Sequence, residues 1–213
     1  MTVWTIAAQE GTGGARLAAE LARAADVPLL DRTALAALAH RLDPDCPEDD
    51  ELDRRLGGRL HTLALSTAIT AGSPDAFRDI ELRHKLPALG RAVVAEAART
   101  PCVIYAPAAF AALAEHPAAV HVRLWAPLEW RISAYQREQL VDRRCAEKAL
   151  KRDDHGKRAW VKSLYHVDMD DLRLFSLVLD ASRFSPGRLV EAVLAAAVSK
   201  PPAWPPSWRA RTR

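Results

Sequence analysis

Two groups of residues in this chain have the types and spacing to do chemistry. The first is a glycine-rich turn, Gly11-Thr12-Gly13-Gly14, followed at once by Ala15 and Arg16. Glycines at such spacing allow backbone conformations closed to residues with a Cβ, and leave N–H groups free to reach an anion. The second is a crowd of cations: Arg143, Arg144, Lys148, Lys151, Arg152, Lys157, Arg158 and Lys162. Arg144, Lys148, Lys151 and Arg152 share one helical face. Phosphoryl transfer depends mainly on positioning and on charge that neutralises phosphate oxygens, for which an arginine fork is well suited. Asp142, Glu147, Asp153 and Asp154 lie in the same stretch, so an ordinary helix laced with ion pairs is the competing reading.

The elements that must position these groups follow from periodicity. Val3 to Ala7 is a short apolar run that stops at the glycine turn, and Leu17, Ala18, Leu21 and Ala25 then recur at helical steps. Strand, glycine turn, helix is the unit with which α/β nucleotide-binding folds begin. Further strands are expected at residues 27–30, 102–105, 120–125 and 174–179, and helices at 33–42, 52–71, 75–99, 108–114, from Pro127 onward and at 186–198. Five strands separated by helices imply a mainly parallel sheet covered on both faces. Asp31 ends the second strand, where an acid could hold a ribose. Asp180 ends the fifth, where it could meet a nucleotide or Mg²⁺, or cap the following loop.

As a bare motif the turn is incomplete. Laid over Ala8 to Ala15, the phosphate-loop pattern GxxxxGK[ST] matches only at Gly13. Ala8 replaces the first glycine, Gly14 stands where the lysine belongs, and Ala15 replaces the Mg²⁺-binding hydroxyl. The dinucleotide pattern GxGxxG matches at Gly11 and Gly13 but meets Arg16 at its third glycine. With Asp31, that partial match keeps a dinucleotide-dependent oxidoreductase open as a third reading.

Composition bounds the rest. The chain has 213 residues, with 30 Lys+Arg against 27 Asp+Glu, a formal net charge of +3. That balance does not by itself point to nucleic acid. The apolar fraction of 49% excludes wholesale disorder. Alanine, about a fifth of the chain, favours helix. Cys46, Cys102 and Cys145 are too widely spaced for a CxxC metal pair, and their odd number gives no disulfide framework, which suits a reducing cytoplasm. The histidines form no HExxH pattern, so no protein-built metal site is expected. No stretch is long and apolar enough to span a membrane. The acidic stretch at residues 43–53 reads as a solvated loop, and the Pro/Trp/Arg tail at 201–213 as disordered.

Several segments together resemble the cytidylate kinase-like family of P-loop proteins. They are Ile6 to Ala18, Val27 to Asp31, Val122 to Arg131, Ala146 to Leu150, Asp154, Arg158 to Trp160, and Leu177 to Phe184. The most telling are the Gly-x-Gly-Gly turn and the block Ala126-Pro127-Leu128-Glu129-Trp130-Arg131. Members often carry Gly rather than Lys in the turn. The resemblance implies a P-loop NTPase-like three-layer α/β sandwich over residues 1–200, with a helical insertion at 43–99 for the acceptor and a basic lid at 131–165. It implies ATP and Mg²⁺ as cofactors and a nucleoside monophosphate such as CMP as acceptor. The backbone around Gly11, Thr12, Gly13, Gly14, Ala15 and Arg16, with Asp31, Asp180 and Arg183, would bind nucleotide. Arg131, Arg143, Arg144, Arg152 and Arg158 would close over the transferred group. At the end of the third strand the family typically shows Gly-Arg, whereas this chain has Ala106-Pro107. That departure, with Gly14 and Ala15, motivates the alternative of a catalytically degraded nucleotide-binding or partner-binding module. The excess of arginine over lysine and the abundant alanine suggest a GC-rich bacterial source.

Overall fold

The computed structural model describes residues 2–44 and 88–198. Most of the expected insertion, including the acidic stretch beyond residue 44, and the tail at 201–213 lie outside the described residues. Strands β1 (Val3–Ala8), β2 (Leu29–Leu30), β3 (Cys102–Tyr105), β4 (Ala119–Trp125) and β5 (Leu177–Asp180) form one sheet in the order β2-β3-β1-β4-β5. Every pairing is parallel. All six residues of β1 are buried, as expected of the central strand of a sheet covered on both faces.

Helix α1 (Gly14–Ala24) turns Leu17, Ala18, Leu21 and Ala22 inward, because those positions recur every three to four residues. They pack with Ile6, Ala8, Val122 and Leu124, and with Leu189 and Val193 of α7 (Pro186–Val198). On another side of the sheet, Cys102 and Ile104 meet Val94, Ala97 and Ala98 of the helical segment α3 (88–97) and its C-terminal turn, and Ala109 of α4 (Ala109–Ala112). Ala7, Phe110, Met169 and Val161 form a further cluster, which brings the long helix α6 (Arg143–Tyr165) down beside β1. Between β2 and α3 lies α2 (Arg32–Leu42).

Beyond shifts of a residue or two at element ends, the boundaries depart from periodicity in three places. The single helix expected after Pro127 is two, α5 (Leu128–Gln139) and α6. Leu140 breaks it with φ 54°, and Asp142 restarts it by accepting from the backbone N–H of Cys145 at 2.8 Å. The fifth strand starts at Leu177 because Leu172–Leu174 is a 3₁₀ turn, capped when Asp171 accepts from the N–H of Arg173. The second strand loses its first two residues because Val27 N–H still donates to Ala22 O at the end of α1 and Pro28 has no N–H to give.

Within β4, beside the central strand, His121 is buried. Its Nδ1 shares a 2.8 Å hydrogen bond with Thr5 Oγ1, and its backbone N–H donates to Ser176 Oγ. Burial pushes its pKa down from 6.5 to about 4. Between those values the unfolded chain holds a proton that the folded chain lacks, so stability falls as pH drops through the window. The slope is about 1.4 kcal/mol per pH unit, or about 3 kcal/mol in all. Urea unfolding of wild type and His121→Gln at pH 7 and pH 4.5 checks this, and the variant is expected to lose distinctly less stability on acidification.

Candidate nucleotide site

In the sheet β1 lies between β3 and β4: the chain leaves β1 towards β2 on one side, and the connection from β3 to β4 then crosses β1 to the other side, so the strand order reverses there. In open α/β sheets the crevice at the carboxyl ends of strands at such a point is the usual ligand site. The glycine turn lies there. Gly11 and Gly13 have φ 77° and 76°, which residues with a Cβ seldom adopt. Gly11 is also pressed against its surroundings: a Cβ there would meet Arg131 O at 3.1 Å and Leu150 Cδ2 at 3.3 Å. The loop is held from inside. Thr12 Oγ1 donates to Gln9 O at 2.6 Å, Gln9 N–H donates to Leu124 O, and Gln9 Oε1 accepts from Ala126 N–H. Gly13 is the N-cap of α1, and no side chain caps that helix. Its first N–H groups are therefore of the kind that bind anions.

Gly14 is required for a different reason. A Cβ on it would lie 2.3 Å from Ala8 Cβ, and 3.2 Å from Tyr105 Cε2 and Oη. The two departures from the phosphate-loop pattern are thus one steric exchange. With Ala8 in place of the first glycine, no side chain fits at residue 14, and a lysine least of all. Burial raises the pKa of Tyr105, with Lys157 pulling the other way, so the phenol stays neutral and able to donate beside the helix start.

Basic residues approach this loop from α5 and α6. Arg131 is buried. Its Nε donates to Ala126 O, its Nη1 to Glu10 O at 3.3 Å and to Asp154 Oδ1 at 3.0 Å, and its Nη2 to Asp154 Oδ2 at 2.8 Å. Four of its five N–H donors thus go to protein acceptors. The guanidinium ties the glycine loop to both helices. Lys157 comes from one turn further along α6. Its Nζ donates to Ala8 O at 3.3 Å and to Glu10 Oε2 at 3.5 Å, and lies 2.9 Å from Asp153 Oδ2. Burial pulls its pKa down, but Asp153, Tyr105 and Glu10 outweigh this and the net shift is upward, so the ammonium stays charged. A narrow crevice beside β1 is lined by Gln9, Arg123, Lys157 and Arg158. Arg123 Nη2 and Arg158 Nε both donate to Asp170, at 3.1 and 2.6 Å.

The remaining expected residues spread out. Ala15 and Arg16 are in the first turn of α1, where Arg16 pairs with Glu20. Asp31 lies at the β2 edge and accepts from Ala34 N–H. Asp180 lies at the β5 edge, accepts from Ser182 N–H and Oγ, and stands 3.8 Å from exposed Arg183. Arg143 pairs with Glu129 across the α5–α6 turn, while Arg144 and Arg152 are exposed on α6. At the end of β3, Ala106 and Pro107 contribute no charged group, and the polar atom nearest the helix start belongs to Tyr105. Tyr105, Arg123 and Asp170 were not legible as site residues. Lys157 was one cation in a crowd, and its i,i+4 carboxylate at Asp153 does not set it apart, since Lys151 has one at Glu147.

The described residues around the loop do not build a Mg²⁺ site. Ala15 lacks the hydroxyl such a loop offers, and Glu10, Asp153 and Asp154 are already paired with Lys157 or Arg131. Among the described residues no group of three or more His, Cys, Asp or Glu could hold a metal ion. None of the described helices is long and apolar enough to cross a membrane.

Comparison with known proteins agrees with this architecture. The chain is similar to a solved uncharacterized protein from Eubacterium ventriosum, with TM-score 0.64 and 14% identity over 93% of this chain and 99% of that one. It is also similar to TT1252 from Thermus thermophilus, with TM-score 0.51 and 23% identity over 93% and 97%. A gluconokinase from Sinorhizobium meliloti gives TM-score 0.50 and 13% identity over 92% and 91%. At these identities the likeness is one of fold. No curated protein matches the chain. A family model described as the cytidylate kinase-like family matches residues 3–183, from the first residue of β1 past the end of β5. The chain therefore belongs to the cytidylate kinase-like family and has a P-loop kinase-type α/β fold.

Proposed function

We propose that this protein binds the phosphates of ATP at the Gly11–Gly14 loop and passes the γ-phosphoryl group to a nucleoside monophosphate such as CMP. The observation that carries the reading is the loop itself. Two glycines with positive φ lead into an uncapped helix at the switch point of the sheet, with charged Lys157 beside them. Family membership supports the reaction class. Gly11, Thr12, Gly13, Gly14 and Ala15 would hold phosphates through backbone N–H groups, with Arg16, Asp31, Asp180 and Arg183 at the margins. Arg143, Arg144, Arg152 and Arg158 on α6 would supply charge to the transferred group, with Arg131 holding the loop and α6 in register. Any Mg²⁺ would arrive on the ATP phosphates, since the described residues build no site for it alone. The segment at 43–99 would receive the acceptor, α5 and α6 would form the lid, and the cytoplasm, where ATP is supplied, is the fitting compartment.

A coupled assay for ADP release with ATP, Mg²⁺ and a panel of nucleoside monophosphates tests the reaction. Acceptor-dependent ADP release is the expected result. A second reading has its own observation: Ala106 and Pro107 offer an acceptor phosphate no cation. ATP binding without ADP release on any acceptor would favour a nucleotide-binding module of the same fold.

A further inference from the structure

A side chain at position 14 would clash with Ala8, so the cation that phosphate loops usually draw from the start of α1 must come from elsewhere or be absent. One ammonium fits. Lys157 Nζ lies 3.3 Å from the carbonyl of Ala8, the residue whose Cβ excludes a side chain from position 14. It is only about one-fifth exposed, and Asp153 steadies it from one turn back on α6. Tyr105 stands beside the same helix start. Glu10 would repel a phosphate at this loop, and Lys157 is the cation that pairs with it. Leu150, Asp154 and Val161 share the buried side of α6, so the position of Lys157 is set by packing rather than by a free tether.

We infer that Lys157 replaces the missing loop lysine, reaching from α6 to bind the terminal phosphates of a nucleoside triphosphate at the Gly11–Gly14 loop. The inference rests on the reading of that loop as a nucleotide site. The ammonium keeps Asp153 as its anchor and exchanges its contact with Ala8 O or Glu10 for a phosphate oxygen. In this arrangement the charge belongs to α6 rather than to the loop, so phosphate binding and the seating of α6 are a single event.

The test is titration of the full chain with ATP and with inorganic triphosphate at two ionic strengths. Removing Lys157 alone would leave Asp153 partly buried without its partner, so Lys157→Met is made together with Asp153→Asn, and Asp153→Asn alone is the control. Melting temperature without ligand reports folding. The double variant is expected to stay folded and lose about tenfold to a hundredfold in affinity for both probes, the range for losing one charge-assisted contact. Its binding should also depend less on salt, while Asp153→Asn alone, which weakens the anchor but keeps the ammonium, loses clearly less than the double variant, and Lys157→Arg keeps most of the affinity. Unchanged affinity in the double variant, with wild type binding ATP, would overturn the inference and leave the nucleotide site standing. A loss that Lys157→Arg fails to recover and that shows no change in salt dependence would also overturn it. Failure of the wild type to bind either probe would remove both the inference and the site.

Discussion

Replacing Arg131 with methionine is expected to lower the free energy of unfolding by about 3–5 kcal/mol, the range for breaking a buried ion pair from one side. The side chains of Arg131 and Asp154 are 5% and 10% exposed. The substitution leaves the Asp154 carboxylate without its two guanidinium donors and the carbonyls of Glu10 and Ala126 without theirs. The penalty is mostly that of orphaned groups, so a companion change should reduce it. Arg131→Met with Asp154→Leu is expected to be clearly more stable than Arg131→Met alone, because no charge is then left buried. Urea unfolding of both variants measures this, with an unchanged m-value marking an effect on the folded state. An Arg131→Met protein within about 1 kcal/mol of wild type would mean that the guanidinium does not tie the loop to the helices.

Gly14→Ala is expected to destabilise the protein by about 1–3 kcal/mol, the usual cost of overpacking a fitted site. The sign is informative. At an ordinary helical position the same change would stabilise by up to about 1 kcal/mol. Here the new Cβ would stand 2.3 Å from Ala8 Cβ, and both atoms are fixed to backbone, so neither can swing aside. Ala8→Gly should relieve the clash. The pair is expected to show a coupling energy of about 1–3 kcal/mol in a double-mutant cycle, of the size seen for residues in contact. Gly14→Lys should fail for the same reason, and Ala8→Gly with Gly14→Lys should fold better than Gly14→Lys alone. Additive effects of Ala8→Gly and Gly14→Ala would refute the idea that the two departures from the phosphate-loop pattern are one exchange.

These expectations show what a linear chain can and cannot reveal. The strands, α1 and the positive φ at Gly11 and Gly13 were legible, because periodicity and glycine spacing are local signals. The break at Leu140 was not, since Leu is a good helix former and only Asp142, an N-cap residue, marks the restart. Partnerships across the fold were also hidden. Arg131 lies 23 positions from Asp154, and Lys157 lies 147 from Glu10, so a count of cations over residues 143–162 cannot tell an exposed Arg152 from a Lys157 lodged against the loop. The meaning of Gly14 needed the position of Ala8, six residues away on a different element, which pattern matching scores only as a second mismatch.

A loop lacking its lysine is expected to hold nucleotide phosphates all the same. Calorimetric titration of the full chain with ATP in the presence of Mg²⁺ tests it most directly. One saturable site per chain is expected, with affinity reduced when Gly13, at φ 76°, is replaced by valine. No heat of binding at millimolar ATP, or binding indifferent to Gly13→Val, would contradict it.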